Sequence, residues 1–447
     1  MGVKIKQLIR SARFRYIYNK LPRHIYEQIS VLLLSQVIVI PIVTILDIHI
    51  FFTNGRDIMV FLFMTLGNLG LLILFLKILK ILDQNDRSYI LTKVLTNIFW
   101  VIFIVWMIIA TLANIHNNLN IWYGDNYRNE GFFTYISYIG IYGIAAILFN
   151  ERYRNRILYL FVFISNILAI LTILEFKGVD ILLFSSHKSG YSAIFHQFNH
   201  FGYYLLMSGM VAAGLFVVEK IKKLKIFSLI SFCIIVGTLI INDTFGCYLG
   251  FIAGVIFLPF VFMLSKKNIR FKYFIPLILL ILITIGMNQI TGTVDTNMSV
   301  LSNDITKIVS QDASSGSAGT GRWVLWTNAI DFIKQKPWFG HGLDNLGYLY
   351  YPLGVGTDRP HNEYLQHAAH LGIPALFFYL CALASIFIRA FKNRTNLSAT
   401  TLVALCTVGA YLVSAFFGNT MYYTTPYFVM LLGMATKIGK SDKLEES

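Results

Sequence analysis

The side chains that could do chemistry gather in a few polar intervals of an otherwise apolar chain. The longest runs from Gln311 to His370. It holds Arg322 directly after Gly319-Thr320-Gly321, then Arg359 and His361, then Asn362 and Glu363. Arg322 opens a stretch with helical periodicity, and a helix N-terminus beside a guanidinium suits an anion such as a phosphate. An arginine there could equally snorkel toward lipid headgroups. The His361 imidazole could take a proton from a hydroxyl near neutral pH, or simply cap or pack at a helix start. In Arg128-Asn129-Glu130-Gly131, Arg128 could hold a charged substrate group that Glu130 orients, or the pair could be an interfacial ion pair. His187, His196 and His200 share a further interval, with Asn199 beside the last. His196 and His200 have i,i+4 spacing, but there is no HExxH and no cysteine partner, so no metal site is expected.

The rest of the chain must position these groups. Of 447 residues, 56% are hydrophobic and only 13% charged, about half the charge of a soluble globular chain. Apolar runs of about twenty residues recur, each long enough to cross the ~30 Å hydrocarbon core as a helix. The expected fold class is therefore an all-α polytopic membrane protein. The net charge of +15 does not point to nucleic acid, because the basic residues cluster in short links between apolar runs. Cys233, Cys247, Cys381 and Cys406 lie in or at the ends of those runs without CxxC spacing, and read as small core hydrophobes. No Walker A sequence or dinucleotide-binding glycine pattern is present.

Twelve spans are expected, near 29–50, 57–79, 94–115, 132–150, 157–174, 201–218, 226–242, 246–264, 273–290, 362–388, 399–417 and 421–437. With a cytoplasmic N-terminus, 28 of the 37 Lys and Arg residues fall inside, which supports both the number and the direction of the spans. Residues 1–28 form a basic cytoplasmic or interfacial segment; with no small-residue cleavage site after it, the first apolar run is expected to be a retained helix. Helices one to nine occupy 29–290, a large extracytoplasmic loop 291–361, helices ten to twelve 362–437, and a cytoplasmic tail 438–447. Both termini are then cytoplasmic. Within the loop, 291–321 is Ser-, Gly-, Thr- and Asp-rich and expected to be irregular at SSGSAGTG. RWVLWTNAIDFIKQK follows as an amphipathic helix stopped by Pro337, with Trp323, Trp326, Ile330 and Ile333 at helical spacing, Leu325 and Ala329 nearby, suited to the outer interface.

GTGRWVLWTNAIDFIKQKPWFGHGLDN followed by PHNEYLQHAAHLGIPAL resembles the signature region of the O-antigen ligase and O-antigen polymerase family of bacterial membrane glycosyltransferases. There an Arg-Trp start, a P-x-x-G-x-G turn and an H-N-x-Y-L element recur in an outer loop. Arg-x-Glu-Gly at Arg128–Gly131 and the segment IFHQFNHFGYYL, with Asn199 and His200, resemble further family features. The resemblance implies transfer of a glycan from an undecaprenyl-diphosphate carrier to an acceptor hydroxyl, on the outer face of the bacterial cytoplasmic membrane. The implied partners are this donor, a glycan or lipid-linked acceptor, membrane lipids, and a flippase and chain-length regulator; no nucleotide sugar, metal or other cofactor is implied. Arg322 would then engage the donor diphosphate and His361 act as base or acceptor-positioning group. Arg128, Glu130, Arg359, Asn199, His200 and Asn362 would line the substrate. One departure matters. Many members carry Ser-Arg-Gly or Thr-Arg-Gly where this chain reads Thr244-Phe245-Gly246, so a second diphosphate-binding arginine is missing there, and Arg128 or Arg359 could substitute.

Polymerase and ligase both remain open. An Ile-, Lys-, Asn- and Phe-rich composition suggests an AT-rich genome; in a host with one membrane, polymerisation of a surface or capsular polysaccharide is favoured. A transporter of lipid-linked glycan is the competing class. It should place ionisable residues near mid-membrane in two related halves, and neither feature is visible.

Overall fold

The computed structural model describes residues 22–50, 55–83, 97–116, 120–125, 128–148, 150–179, 190–195, 197–266, 270–309, 321–355 and 357–437. His187, His196 and the SSGSAGT run at 314–320 lie outside these residues. The described chain is helical: α1 (Arg23–Ile50), α2 (Gly55–Asp83), α3 (Ile98–Ala113), α4 (Phe132–Ile147), α5 (Glu151–Phe176), α6 (Phe198–Val218), α7 (Lys222–Asn242) and α8 (Phe245–Lys266). Then follow α9 (Ile275–Thr291), α10 (Thr293–Val309), α11 (Arg322–Gln335), α12 (Glu363–Leu371), α13 (Ile373–Lys392), α14 (Ala399–Ser414) and α15 (Thr425–Ala435).

Eight of the described helices are long and apolar enough to cross a membrane, or up to nine if the bent pair α9–α10 counts as one. The shorter apolar helices α3, α4 and α15 fall on three more of the expected runs. Exposed Phe257, Phe260, Leu282, Ile285 and Phe377 give the bundle an apolar exterior of the kind lipid covers.

α6 is the enclosed centre, packed by α7, α8 and α14. Its small residues, among them Ser208, Gly209, Ala212, Ala213 and Gly214, let neighbouring helices approach closely, which is how helices associate where no hydrophobic drive separates protein from lipid. The same device joins α2 to α4, where a Cβ on Gly140 would stand 1.8 Å from the Gly67 carbonyl oxygen. This crossing anchors α4, and with it the Arg128–Gly131 turn that precedes it.

One expectation is corrected. The run expected to cross at 362–388 is broken: α12 ends at Gly372, which has φ +89°, and α13 starts afresh. A Cβ at Gly372 would lie 1.8 Å from the Trp338 carbonyl oxygen, so this break is where the loop locks onto the bundle. α12 is consequently a buried, polar part of the loop-side assembly. α11 forms where expected. Its buried stripe is Leu325, Ala329 and Phe332, whereas Trp323 and Ile330 face outward. The loop chain folds back over it, with the Tyr350 hydroxyl donating to the Leu325 carbonyl at 2.8 Å. The stretch 291–321 also contains α10, ahead of the SSGSAGTG run and set at 91° to α9 beyond Gly292.

Candidate functional site

The loop side is built from four converging stretches: the turn before α4, the start of α11, residues 340–362, and residues 418–424 before α15. Two of them place non-glycine residues in the left-handed region: Asn129 (φ 54°) in the first, and Asp344 (φ 53°) and His361 (φ 49°) in the third. Such conformations persist where surrounding contacts hold them, and they cluster at functional turns.

Two buried ion pairs tie these stretches together. Arg128 grips Asp358 in a fork, Nε to Oδ2 at 2.8 Å and Nη2 to Oδ1 at 2.7 Å. Arg359, itself buried, donates from Nη2 to Asp344 Oδ1 and from Nη1 to the Thr420 carbonyl at 2.8 Å. The other Asp344 oxygen accepts from the backbone amides of Asp125 (2.8 Å) and Glu130 (3.0 Å). Burial alone would raise the Asp358 carboxyl, but Arg359 and Arg128 outweigh it and hold it down at about 2.

Glu130 does not pair with Arg128. It is fully buried and accepts from the Tyr138 hydroxyl. Burial pushes its pKa up to about 8, against the nearby Arg359 charge and the Tyr138 hydrogen bond, so the carboxyl is protonated at neutral pH.

His361 lies half-buried between Thr357, 3.3 Å from Nε2, and the Asn419 amide, 3.3 Å from Nδ1. Burial and then the charges of Arg322 and Arg128 lower its pKa to about 3. The imidazole is therefore neutral, and all three expected site arginines, Arg322, Arg128 and Arg359, are close enough to be felt at it. Arg322 opens α11 behind Gly321 (φ 82°) and also interacts electrostatically with Cys247 and Tyr203, on the loop-side ends of α8 and α6. That places it beside the Thr244-Phe245-Gly246 turn.

Asn362 is occupied otherwise: its Oδ1 caps α12, accepting from the amides of Tyr364 (3.0 Å) and Leu365 (3.1 Å). His200 is buried and lies against the Tyr423 ring, with 5.5 Å between centroids, while Asn199 is half-buried at the start of α6. Among the expected site residues, Arg322, Arg128, Arg359 and His361 thus come together, and Asn362 serves the backbone.

Sequence reasoning missed Asp344, Asp358, Gln366, Asn419 and Thr420. Thr420 accepts at its hydroxyl from Gln366 Nε2 (2.7 Å) and lies 3.0 Å from the Tyr135 hydroxyl. The Asp358-Arg359 dipeptide was a usable signal, since adjacent opposite charges on a loop near a membrane seek partners. Residues 418–424 gave none, because GNTMYYT reads as a short link running into the last expected span.

The loop side thus gathers three arginines, two of them buried, around a neutral histidine on a bundle of apolar helices. Residues 229–380, from α7 to within α13, match the family model described as O-antigen ligase. This region of the chain is similar to the O-antigen ligase family. The match includes Arg322, Asp344, Asp358, Arg359 and His361 and leaves out Arg128, Glu130 and Asn419. Similar proteins include one from Rickettsia conorii, 28% identical over 210 residues, covering 42% of this chain and 45% of that protein. A second, from Rickettsia prowazekii, is 25% identical over 332 residues, covering 69% of this chain and 71% of that protein. Both carry the name "putative polysaccharide ligase". A Haemophilus influenzae protein described only as uncharacterized is 22% identical over 277 residues, covering 56% of this chain and 64% of its own length. The matches with the R. conorii and H. influenzae proteins thus span less than two thirds of those relatives. This chain is accordingly a multi-pass membrane protein with a region similar to the O-antigen ligase family.

Proposed function

We propose that this O-antigen-ligase-type protein is a membrane glycosyltransferase. It would move or polymerise oligosaccharide repeats carried on undecaprenyl diphosphate, on the outer face of the cytoplasmic membrane and without a metal. Twelve spans, cytoplasmic termini and an outward loop are part of this reading. The observation that carries it is the meeting of Arg322 and Arg128 around a neutral His361.

The acceptor hydroxyl oxygen forms a bond to the anomeric carbon as the bond from that carbon to the diphosphate oxygen breaks. The hydroxyl proton passes to His361, and the lipid diphosphate leaves with the electron pair. Fixed guanidinium charge stabilises the leaving group most strongly where water is scarce. Arg322 is the arginine placed for this. Arg128 and Arg359 already hold carboxylates, so their part is to fix the loop and add field at His361, rather than to replace the arginine missing at Phe245.

Binding of the donor has a second effect. Its negative charge offsets Arg322 and Arg128, two of the causes that keep His361 unprotonated, and so raises the proton affinity of the base only when the donor is present.

The acceptor distinguishes the two forms of this reading. We place polymerase first, on the composition of the chain; the names of the Rickettsia relatives favour ligase. Purified protein given lipid-linked repeats alone should yield a ladder of longer lipid-linked glycans if it is a polymerase. Transfer only to a separate added acceptor would make it a ligase, and lipid movement across liposomes without transfer would make it a transporter.

A further inference from the structure

A second site lies beneath the loop. A cavity of about 470 Å³ runs between α2, α3, α4, α13 and α15, within the range of ligand pockets. Its loop-side end meets Tyr135, Glu363, His367 and Thr420, and its walls are apolar, with Phe103, Met107 and Phe428 among them.

The other end is basic. α2 and α13 run away from the loop toward Asp83 and Lys392, α15 runs the same way, and α3 begins there. Lys77, Asn97, Arg389 and Lys437, all lining the cavity, therefore gather at the end remote from the loop. Arg389 donates from Nε to the Ser385 carbonyl at 3.1 Å, while its Nη2 is buried with no hydrogen-bond partner among the described residues. A buried guanidinium donor left unmade is costly, and its natural complement is an anion held in a fork.

An apolar slot between membrane helices that ends in three cations matches one chemistry: a hydrocarbon chain with an anionic headgroup. Basic pockets between transmembrane helices recognise phosphate-bearing lipids on this ground. We propose that the cavity binds one anionic glycerophospholipid from the leaflet remote from the loop, its phosphate against Arg389, Lys77 and Lys437 and one acyl chain running toward Tyr379. The site is separate from the Arg322–His361 cluster and does not depend on the glycosyltransferase reading.

The test is native mass spectrometry of the full, delipidated chain titrated with phosphatidylglycerol and phosphatidylcholine of identical acyl chains. Phosphatidylglycerol should be retained at about tenfold lower concentration, and Arg389→Gln should abolish that preference while leaving phosphatidylcholine binding unchanged. Ala146→Phe, which fills the cavity wall, should weaken both lipids. Lys77→Gln combined with Lys437→Gln gives an independent arm should Arg389→Gln fail to elute as a single folded species. Equal retention of the two lipids, or a preference that survives the headgroup variants, overturns the proposal. So does undecaprenyl phosphate displacing phosphatidylglycerol from this cavity, because the occupant would then be a polyprenyl lipid.

Discussion

Arg128 and Asp358 stand 230 residues apart in sequence and are joined by a two-bond fork at 2.7 and 2.8 Å. With Arg359 and Asp344 they clamp the large loop onto the turn before α4. Both arginines thereby belong to the frame that holds the loop, and the transfer reading rests on Arg322 at the start of α11.

Asp358→Ala leaves the buried Arg128 guanidinium without its carboxylate. Loss of one partner of a buried pair costs on the order of 3–5 kcal/mol, so a clear fall in thermal midpoint in detergent is expected. Asp358→Ala combined with Arg128→Met should recover much of it, since the stranded charge is gone. A double variant as unstable as the single would show that the pair is not the source of the loss.

Glu130 makes stability fall toward alkaline pH. Its pKa in the folded protein is raised to about 8 from an ordinary value near 4.5, so its contribution is complete below about 4.5 and lost as pH rises through about 8. Asp358 acts oppositely: lowered to about 2, it contributes above its ordinary value near 3.8 and loses that contribution as pH falls toward 2. Thermal midpoints from pH 5 to 9 should decline on the alkaline side. Glu130→Gln should flatten that decline.

Much of this architecture was legible in the sequence, for a physical reason. Spans advertise themselves through apolar length, and α11 through its spacing and the stop at Pro337. The pairing of Arg128 with Asp358 was not legible, because a buried ion pair is a long-range fact and each partner looks like a solvated loop charge. Which of the apolar residues of α11 pack inward was not legible, since Trp323 and Trp326 outweigh Ala329 by hydrophobicity, yet small Ala329 is fully buried and Trp323 is exposed. The break at Gly372 was readable in Gly-Ile-Pro, but the apolar run after it concealed the polar helix before it.

Gly372→Ala should be poorly tolerated. The backbone sits at φ +89°, and the added methyl would meet the Trp338 carbonyl oxygen. The loop must then lift from α13. We expect a lower thermal midpoint and faster proteolysis between α11 and α12, with the remaining bundle intact. Unchanged proteolysis would mean that the loop is held elsewhere.

His361 predicts a difference between two pH profiles. In the free protein its pKa is lowered to about 3 by burial and by Arg322 and Arg128, so it should set no acid limb in kcat/KM above pH 5. With the donor bound its proton affinity rises, and the acid limb of kcat should lie at higher pH than that of kcat/KM. Coincident limbs would argue against the donor acting on His361.

The most direct measurement is transfer by the purified full chain, in detergent with chelator, from undecaprenyl-diphosphate-linked repeats, with products resolved by size. Wild-type protein should extend the glycan. Arg322→Ala should lower the rate by about 100- to 1,000-fold and His361→Ala by about 100- to 10,000-fold, both variants eluting as folded protein. Undiminished transfer by either folded variant would contradict the site assigned here, and no transfer by wild type with any acceptor would contradict the enzyme itself.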